Sequence, residues 1–236
     1  MYSYSDYKFL NELKSSHPKI HTRVMDILNS QEKDIAKGCH DLLNIVTLIN
    51  GNLQLVGLIH PELNREKHMQ SATECLSNLT DALSAISIYR HAREIQPAMV
   101  NIEKLLNHLK EMYSTANLNI SCSGNLPTLM LDYNKTLYSI RGMLHNILEI
   151  DPSATISINA YTKDCSLILQ ICDNLTGLTP EAKEALFKPF NTTKCDHIGL
   201  SLAIAYQNAL AHNGNMLYSE NAPTGSIFTI CFPICS

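Results

Sequence analysis

Two long stretches without proline, separated by a single His60-Pro61 break, constrain this chain more than any other feature. Residues 19–59 hold glycine at 38, 51 and 57 and no proline, and residues 62–91 hold neither residue. Proline ends helices because its ring clashes with the preceding turn and its N–H is missing. The pattern therefore predicts two long helices joined by a tight turn, with Pro97 beyond the second. At 1.5 Å per residue the first would run about 60 Å. A compact chain of 236 residues cannot cover such a helix alone, so a partner of equal length is expected.

The apolar residues say what that partner is. The second stretch carries Met69, Ala72, Leu76, Leu79, Leu83 and Ile86 at alternating steps of three and four, a heptad seam. The first is apolar over a wider arc, with Leu42, Leu43, Ile45, Val46, Leu48 and Ile49. One seam suits one neighbour, whereas a wide arc needs two. A four-helix bundle built from the hairpins of two chains satisfies both, so a homodimer is expected. One narrow stripe of the first helix stays polar or small: His40, Asn44, Thr47, Gly51 and Gln54. Its spacing places it on one face, turned to solvent.

Beyond residue 97 the pattern changes. Helices are expected over 101–114, over 133–150 with Asp132 as cap, and over 199–211. Strands are expected over 118–122, in a hairpin of 155–161 with 167–172, and in a last hairpin of 215–219 with 226–232. The fold class is α+β: a long helical hairpin, then helices with a mostly antiparallel sheet. The expected division is a short N-terminal segment 1–18, a hairpin 19–96 and a helix-and-sheet unit 97–236.

A net charge of −4, evenly spread, argues against a nucleic-acid partner. No uninterrupted run reaches the roughly 18 to 20 apolar residues of a membrane span, and residues 1–13 lack the order of a signal peptide. A cytoplasmic chain with no membrane partner is the expectation. The eight cysteines lie at 39, 75, 122, 165, 172, 195, 231 and 235, with no C-x-x-C pair, and read as free buried thiols rather than a zinc site.

His40 stands at the upper end of the polar stripe with Asp41 beside it and Asn44 one turn on. A neutral imidazole nitrogen is a good nucleophile near neutral pH. A carboxylate can orient the proton on its other nitrogen. An amide can hold a phosphoryl oxygen or a water. Cys39-His40-Asp41-Leu42-Leu43-Asn44 resembles the phosphoacceptor box of two-component histidine kinases. It is also similar to the sporulation-type phosphotransferases that share the kinase fold.

The resemblance continues from about residue 20 to 233. Leu144-His145-Asn146-Ile147 resembles the Asn box, which implies Mg²⁺ on Asn146; a second Asn usually lies four residues earlier, where this chain has Gly142. Asp173-Asn174-Leu175-Thr176-Gly177-Leu178 resembles the first Gly box. That implies an adenine contact for Asp173 and a nucleotide-side role for Gly177, with Leu175 replacing a glycine. Residues 186–194, ending in Lys194, resemble the Phe box, though Leu186, Phe187 and Phe190 read as core. His197-Ile198-Gly199-Leu200-Ser201 resembles the second Gly box, of which only Gly199 keeps its glycine. His212-Asn213-Gly214 and Gly225-Ser226-Ile227 match the closing turn and strand.

The resemblance implies that residues 97–236 form an α/β sandwich, with ATP and Mg²⁺ as cofactors, and a response-regulator receiver domain as partner. Its implied activity is an ATP-dependent histidine kinase that carries a phosphoryl group on His40. Two alternatives stay open: an ATP-independent phosphotransferase relaying between response regulators, and a non-catalytic dimeric interaction protein.

Overall fold

The computed structural model describes residues 4–192 and 198–234. The chain divides into two compact units, Met1–Arg90 and His91–Ser236.

The first unit is helical. Helix α1 (Tyr4–Ser16) packs on α2 (Pro18–Ile59), which turns back through a 3-10 segment (Pro61–Arg65) into α3 (Lys67–Arg90). Pro18 occupies the first turn of α2, where a missing N–H costs nothing. At the far end His60 donates its N–H to Val56 O, and Pro61 then stops the helix. Asn64 fastens the turn by donating from Nδ2 to Gly57 O at 3.0 Å, and Gly57 has no side chain to obstruct it.

The wide apolar arc of α2 lies open. Val46 is buried, whereas Leu42, Ile45, Leu48, Leu55, Leu58 and Ile59 are exposed, Leu48 at 69%. In α3, Leu83 is buried and Leu79 is 45% exposed. The polar stripe is exposed too, apart from half-buried Gly51, so exposure alone does not single it out. One expectation is corrected here. α2 holds an 18-residue window of mean hydropathy 1.6, which is long and apolar enough to cross a membrane by length and composition. Asn44, Asn50, Asn52 and Gln54 interrupt every unbroken apolar run in it, so its apolar character is spread over the window rather than gathered in one run.

The second unit is a two-layer sandwich. A five-stranded sheet runs in the order β2 (Leu118–Ser123), β4 (Ile156–Lys163), β5 (Ser166–Asp173), β7 (Ser226–Pro233), β6 (Asn215–Glu220). β2 is parallel to β4 and the other pairs are antiparallel. Alternation puts Ile156, Ile158 and Ala160, Leu167, Leu169 and Ile171, and Phe228, Ile230 and Phe232 on one buried face. That face packs on α4 (Ile102–Met112), α5 (Tyr133–Ile150) and α7 (Ser201–Ala211). α4 supplies Ile102, Leu105, Leu106 and Leu109, all 1% exposed or less, at helical spacing. Each such side chain contributes about 1.5–3 kcal/mol on burial.

Several elements lay outside the sequence reading. α1 occupies the segment taken as a short N-terminal stretch. β1 (Ala98–Asn101) and β3 (Thr128–Leu131) form a separate antiparallel pair, and α6 (Pro180–Glu184) is one short turn. The two units divide at residue 90 rather than 96 because residues 91–96 are held by the second unit: Lys135 Nζ donates to His91 O and Glu94 O, and Gln96 N donates to Asp132 Oδ2. Six cysteines are free among the described residues, but only Cys172 is buried, and Cys75, Cys122 and Cys165 are exposed.

Candidate functional site

His40 projects from the middle of α2 with its side chain 72% exposed. Two neighbours converge on the same ring nitrogen. Asn44 Nδ2 lies 3.2 Å from Nδ1 and Asp41 Oδ1 lies 3.6 Å from it. Nε2 faces neither. The i, i+4 step brings Asn44 over the ring, and adjacency brings Asp41 to its side. The two favour opposite tautomers. An amide donating to Nδ1 leaves the proton on Nε2, whereas a carboxylate beside Nδ1 holds the proton there and frees the Nε2 lone pair. A half-turn of the Asn44 amide presents its oxygen instead and sides with the carboxylate.

In the second unit Asp173 ends β5 and is 4% exposed. Its Oδ1 accepts the N–H of Leu175 at 2.9 Å and of Ser226 at 3.1 Å. Oδ2 takes no hydrogen bond from a described residue, which leaves an acceptor for an amino group. The backbone behind it is tightly fixed: Asn221 Nδ2 donates to Asp173 O at 2.8 Å, and a Cβ on Gly225 would meet that oxygen at 2.0 Å. Gly225 was read only as part of a closing motif. The glycine-bearing turn before β7 is its one signal in the sequence, and its contact with Asp173 emerges only in the fold.

Gly199 sits at φ +66°, where a Cβ would lie 2.5 Å from Asn191 O, so glycine is required for both reasons. Gly177 has room: a Cβ there would stand 3.6 Å from Gly225 O. Leu175, at a position where the resembling family has glycine, turns onto the core of the unit. So do Leu186 and Phe187, the latter stacked on Tyr206 at 5.0 Å, whereas Phe190 is 56% exposed with φ +62°. The reading of Phe190 as core is thereby corrected. Asn146 lies half-buried on α5 and makes no hydrogen bond to a described residue. Lys194 and His197 lie outside the described residues.

These groups fit a nucleotide: a buried carboxylate with one oxygen unengaged by any described residue, an amide likewise unengaged, and backbone packed closely on itself at Gly199 and Gly225. α5 is positioned for them by a network the sequence did not reveal. Asp132 caps α5 by accepting Lys135 N–H at 3.0 Å, and its own N–H is accepted by His212 at the end of α7.

Fold and site together resemble one class, the ATPase domain of the histidine kinase, gyrase B and HSP90 type. Residues 137–235 match the family described as histidine kinase-, DNA gyrase B-, and HSP90-like ATPase. Within that class the likeness is to the two-component histidine kinases. The sensor histidine kinase ZraS of Salmonella typhimurium is 22% identical over 92% of this chain and 50% of its own length. The match spans between 30% and 51% of the length of the curated relatives. Among solved structures, full-length ShkA in complex with AMPPNP has a TM-score of 0.74 at 19% identity, covering 85% of this chain and 45% of that one. Histidine kinase ThkA in complex with response regulator protein TrrA has a TM-score of 0.59 at 15% identity, covering 99% of this chain and 68% of that one. At these identities the structural likeness shows the fold.

Proposed function

We propose that this chain is the phosphoacceptor and ATP-binding part of a two-component histidine kinase. The observation that carries the reading is His40: an exposed imidazole on a long helix, with Asn44 and Asp41 both at Nδ1 and Nε2 left open. In this reading Nε2 attacks the terminal phosphoryl group of ATP; the N–P bond forms as the bond to the ADP oxygen breaks. The Asp41 carboxylate, beside the Nδ1 proton, offsets the positive charge that develops on the ring and can take that proton. Catalysis of this kind is positioning and charge neutralisation. Asp173 would receive the adenine amino group at Oδ2, and the backbone around Gly199, with Gly177 and Lys194, would border the nucleotide. Mg²⁺ held at Asn146 would neutralise phosphate charge.

The acceptor of the phosphoryl group is proposed to be an aspartate on a response-regulator receiver domain, as the ThkA–TrrA complex suggests. The open apolar arc of α2 supports a homodimer, in which a second hairpin covers Leu48 and Leu58. A cytoplasmic position for both units is part of the same proposal, since it is there that ATP is supplied.

Incubation with labelled ATP and Mg²⁺ tests the reading. The expected product is acid-labile label on the chain that is lost in His40→Gln; absence of label from the unmodified chain overturns it. Gly142 favours a second reading, ATP-independent phosphotransfer between response regulators, because it leaves Asn146 as the one amide of its box. Label reaching His40 from a phosphorylated receiver domain, with none from ATP, would select it.

A further inference from the structure

The middle of α5 and the first turn of α7 meet at Gly142 and Ser201. A Cβ built on Gly142 would stand 3.5 Å from Ser201 Cβ and 4.0 Å from its Oγ. That gap takes a methyl group, but the outer atoms of an amide side chain would enter the volume of the serine. Residue 142 and residue 201 therefore face one another across a single gap, and a larger side chain at either position reduces the room left for the other. In the pattern this chain resembles, α5 fills it with asparagine and α7 has glycine. Here glycine is on α5 and the hydroxyl on α7.

Ser201 is half-buried, and among the described residues its hydroxyl has no partner. Leu200 before it supplies no side-chain cap for the opening N–H groups of α7. Asn146, one turn beyond Gly142 on α5, is likewise open. We infer that the Ser201 hydroxyl is a positioning contact for the phosphate chain of the nucleotide, delivered from α7 into the space that a side chain at 142 would otherwise take. Its one O–H donates to a phosphate oxygen, and a charged acceptor makes such a bond stronger than a neutral one. The exchange explains how two departures from the family pattern can coexist in one chain, since each makes room for the other. The inference rests on the ATP-binding reading.

Calorimetric titration of the full chain with ADP and Mg²⁺ tests it. Ser201→Ala is expected to weaken binding about tenfold, the scale of one hydrogen bond to a charged group. It should leave the thermal midpoint and the affinity for adenosine, which has no phosphate, unchanged. Ser201→Gly should weaken ADP binding alike. Gly142→Asn added to Ser201→Gly should restore the affinity to within about threefold of the unmodified chain, a non-additive pair. Unchanged ADP affinity in Ser201→Ala overturns the inference, as does a double variant no tighter than Ser201→Gly, or an equal loss of adenosine binding. If the unmodified chain binds adenosine but Ser201→Ala changes nothing, only the serine assignment falls. If it binds neither ligand, the ATP reading fails first.

Discussion

Asp132 and His212, eighty positions apart, are joined by a buried bond: the Asp132 N–H is accepted by His212 Nε2 at 2.8 Å. The other ring nitrogen donates to Asn208 O at 2.8 Å. One nitrogen accepts and the other donates, so the ring is neutral and its tautomer is set. The bond ties the start of α5 to the end of α7, the two helices that carry Asn146 and Ser201.

Acid should loosen this tie. Burial pushes the His212 pKa below its ordinary value, with the Asn208 carbonyl and Asp132 opposing and Lys135 assisting. The folded state therefore holds the neutral ring, while the unfolded chain takes up a proton near pH 6.5. This contribution is fully present above about pH 6.5 and is lost as pH falls through the lower folded value. Thermal unfolding at a series of pH values should show a fall below 6.5. His212→Ala should be less stable by about 1–3 kcal/mol at neutral pH, since the buried Asp132 N–H loses its partner, and should lack that part of the fall.

Gly225 and Gly177 should respond differently to one methyl group. A Cβ at Gly225, φ +123°, meets Asp173 O at 2.0 Å, backbone against backbone. Gly225→Ala is expected to cost about 2 kcal/mol or more and to displace the Asp173 carboxylate, weakening nucleotide binding. Gly177→Ala, with 3.6 Å of clearance, should change stability by about 0.5 kcal/mol or less. Denaturant unfolding and nucleotide titration of both variants check the contrast.

Charge on the open arc of α2 should prevent dimerisation. Leu48 is 69% exposed in the single chain, and a glutamate there would have to be buried in the proposed bundle. Leu48→Glu is expected to sediment as a monomer at concentrations where the unmodified chain is a dimer.

The proton on His40 should move when Asn44 is changed. Asn44→Ala removes the amide that donates to Nδ1, leaving Asp41 as the neighbour of that nitrogen. The fraction of ring protonated on Nδ1 should rise, as read from the nitrogen chemical shifts of the imidazole.

What the sequence could disclose follows the range of the forces involved. α5 was legible at both ends because Asp132 caps it through a bond three residues long, and the α5 bounds of 133–150 agree. β1 and β3 were not, because four-residue strands carry too little alternation and pair across a stretch that includes α4 and β2. The cluster at His40 was visible because its members lie within one helical turn. Asp173 stood out by its motif, but its fixing by Asn221, Gly225 and Ser226 is a tertiary matter. The boundary between units moved for the same reason, since Lys135 and Asp132 reach back to residues 91–96.

β2 has its single sheet neighbour in β4, which begins thirty-eight positions later and runs parallel to it. Ser121 Oγ donates to Asn159 Oδ1 at 2.7 Å and Asn117 Nδ2 to Thr155 Oγ1 at 2.8 Å, both across that same span. A ribosome must therefore deliver β3 and α5 before β2 has anything to pair with, whereas β4 and β5 close as a local hairpin. Loop closure sets the order in which such pieces assemble. β2 is expected to be the last strand to gain protection from solvent exchange during folding, and the first to surrender it when the domain breathes.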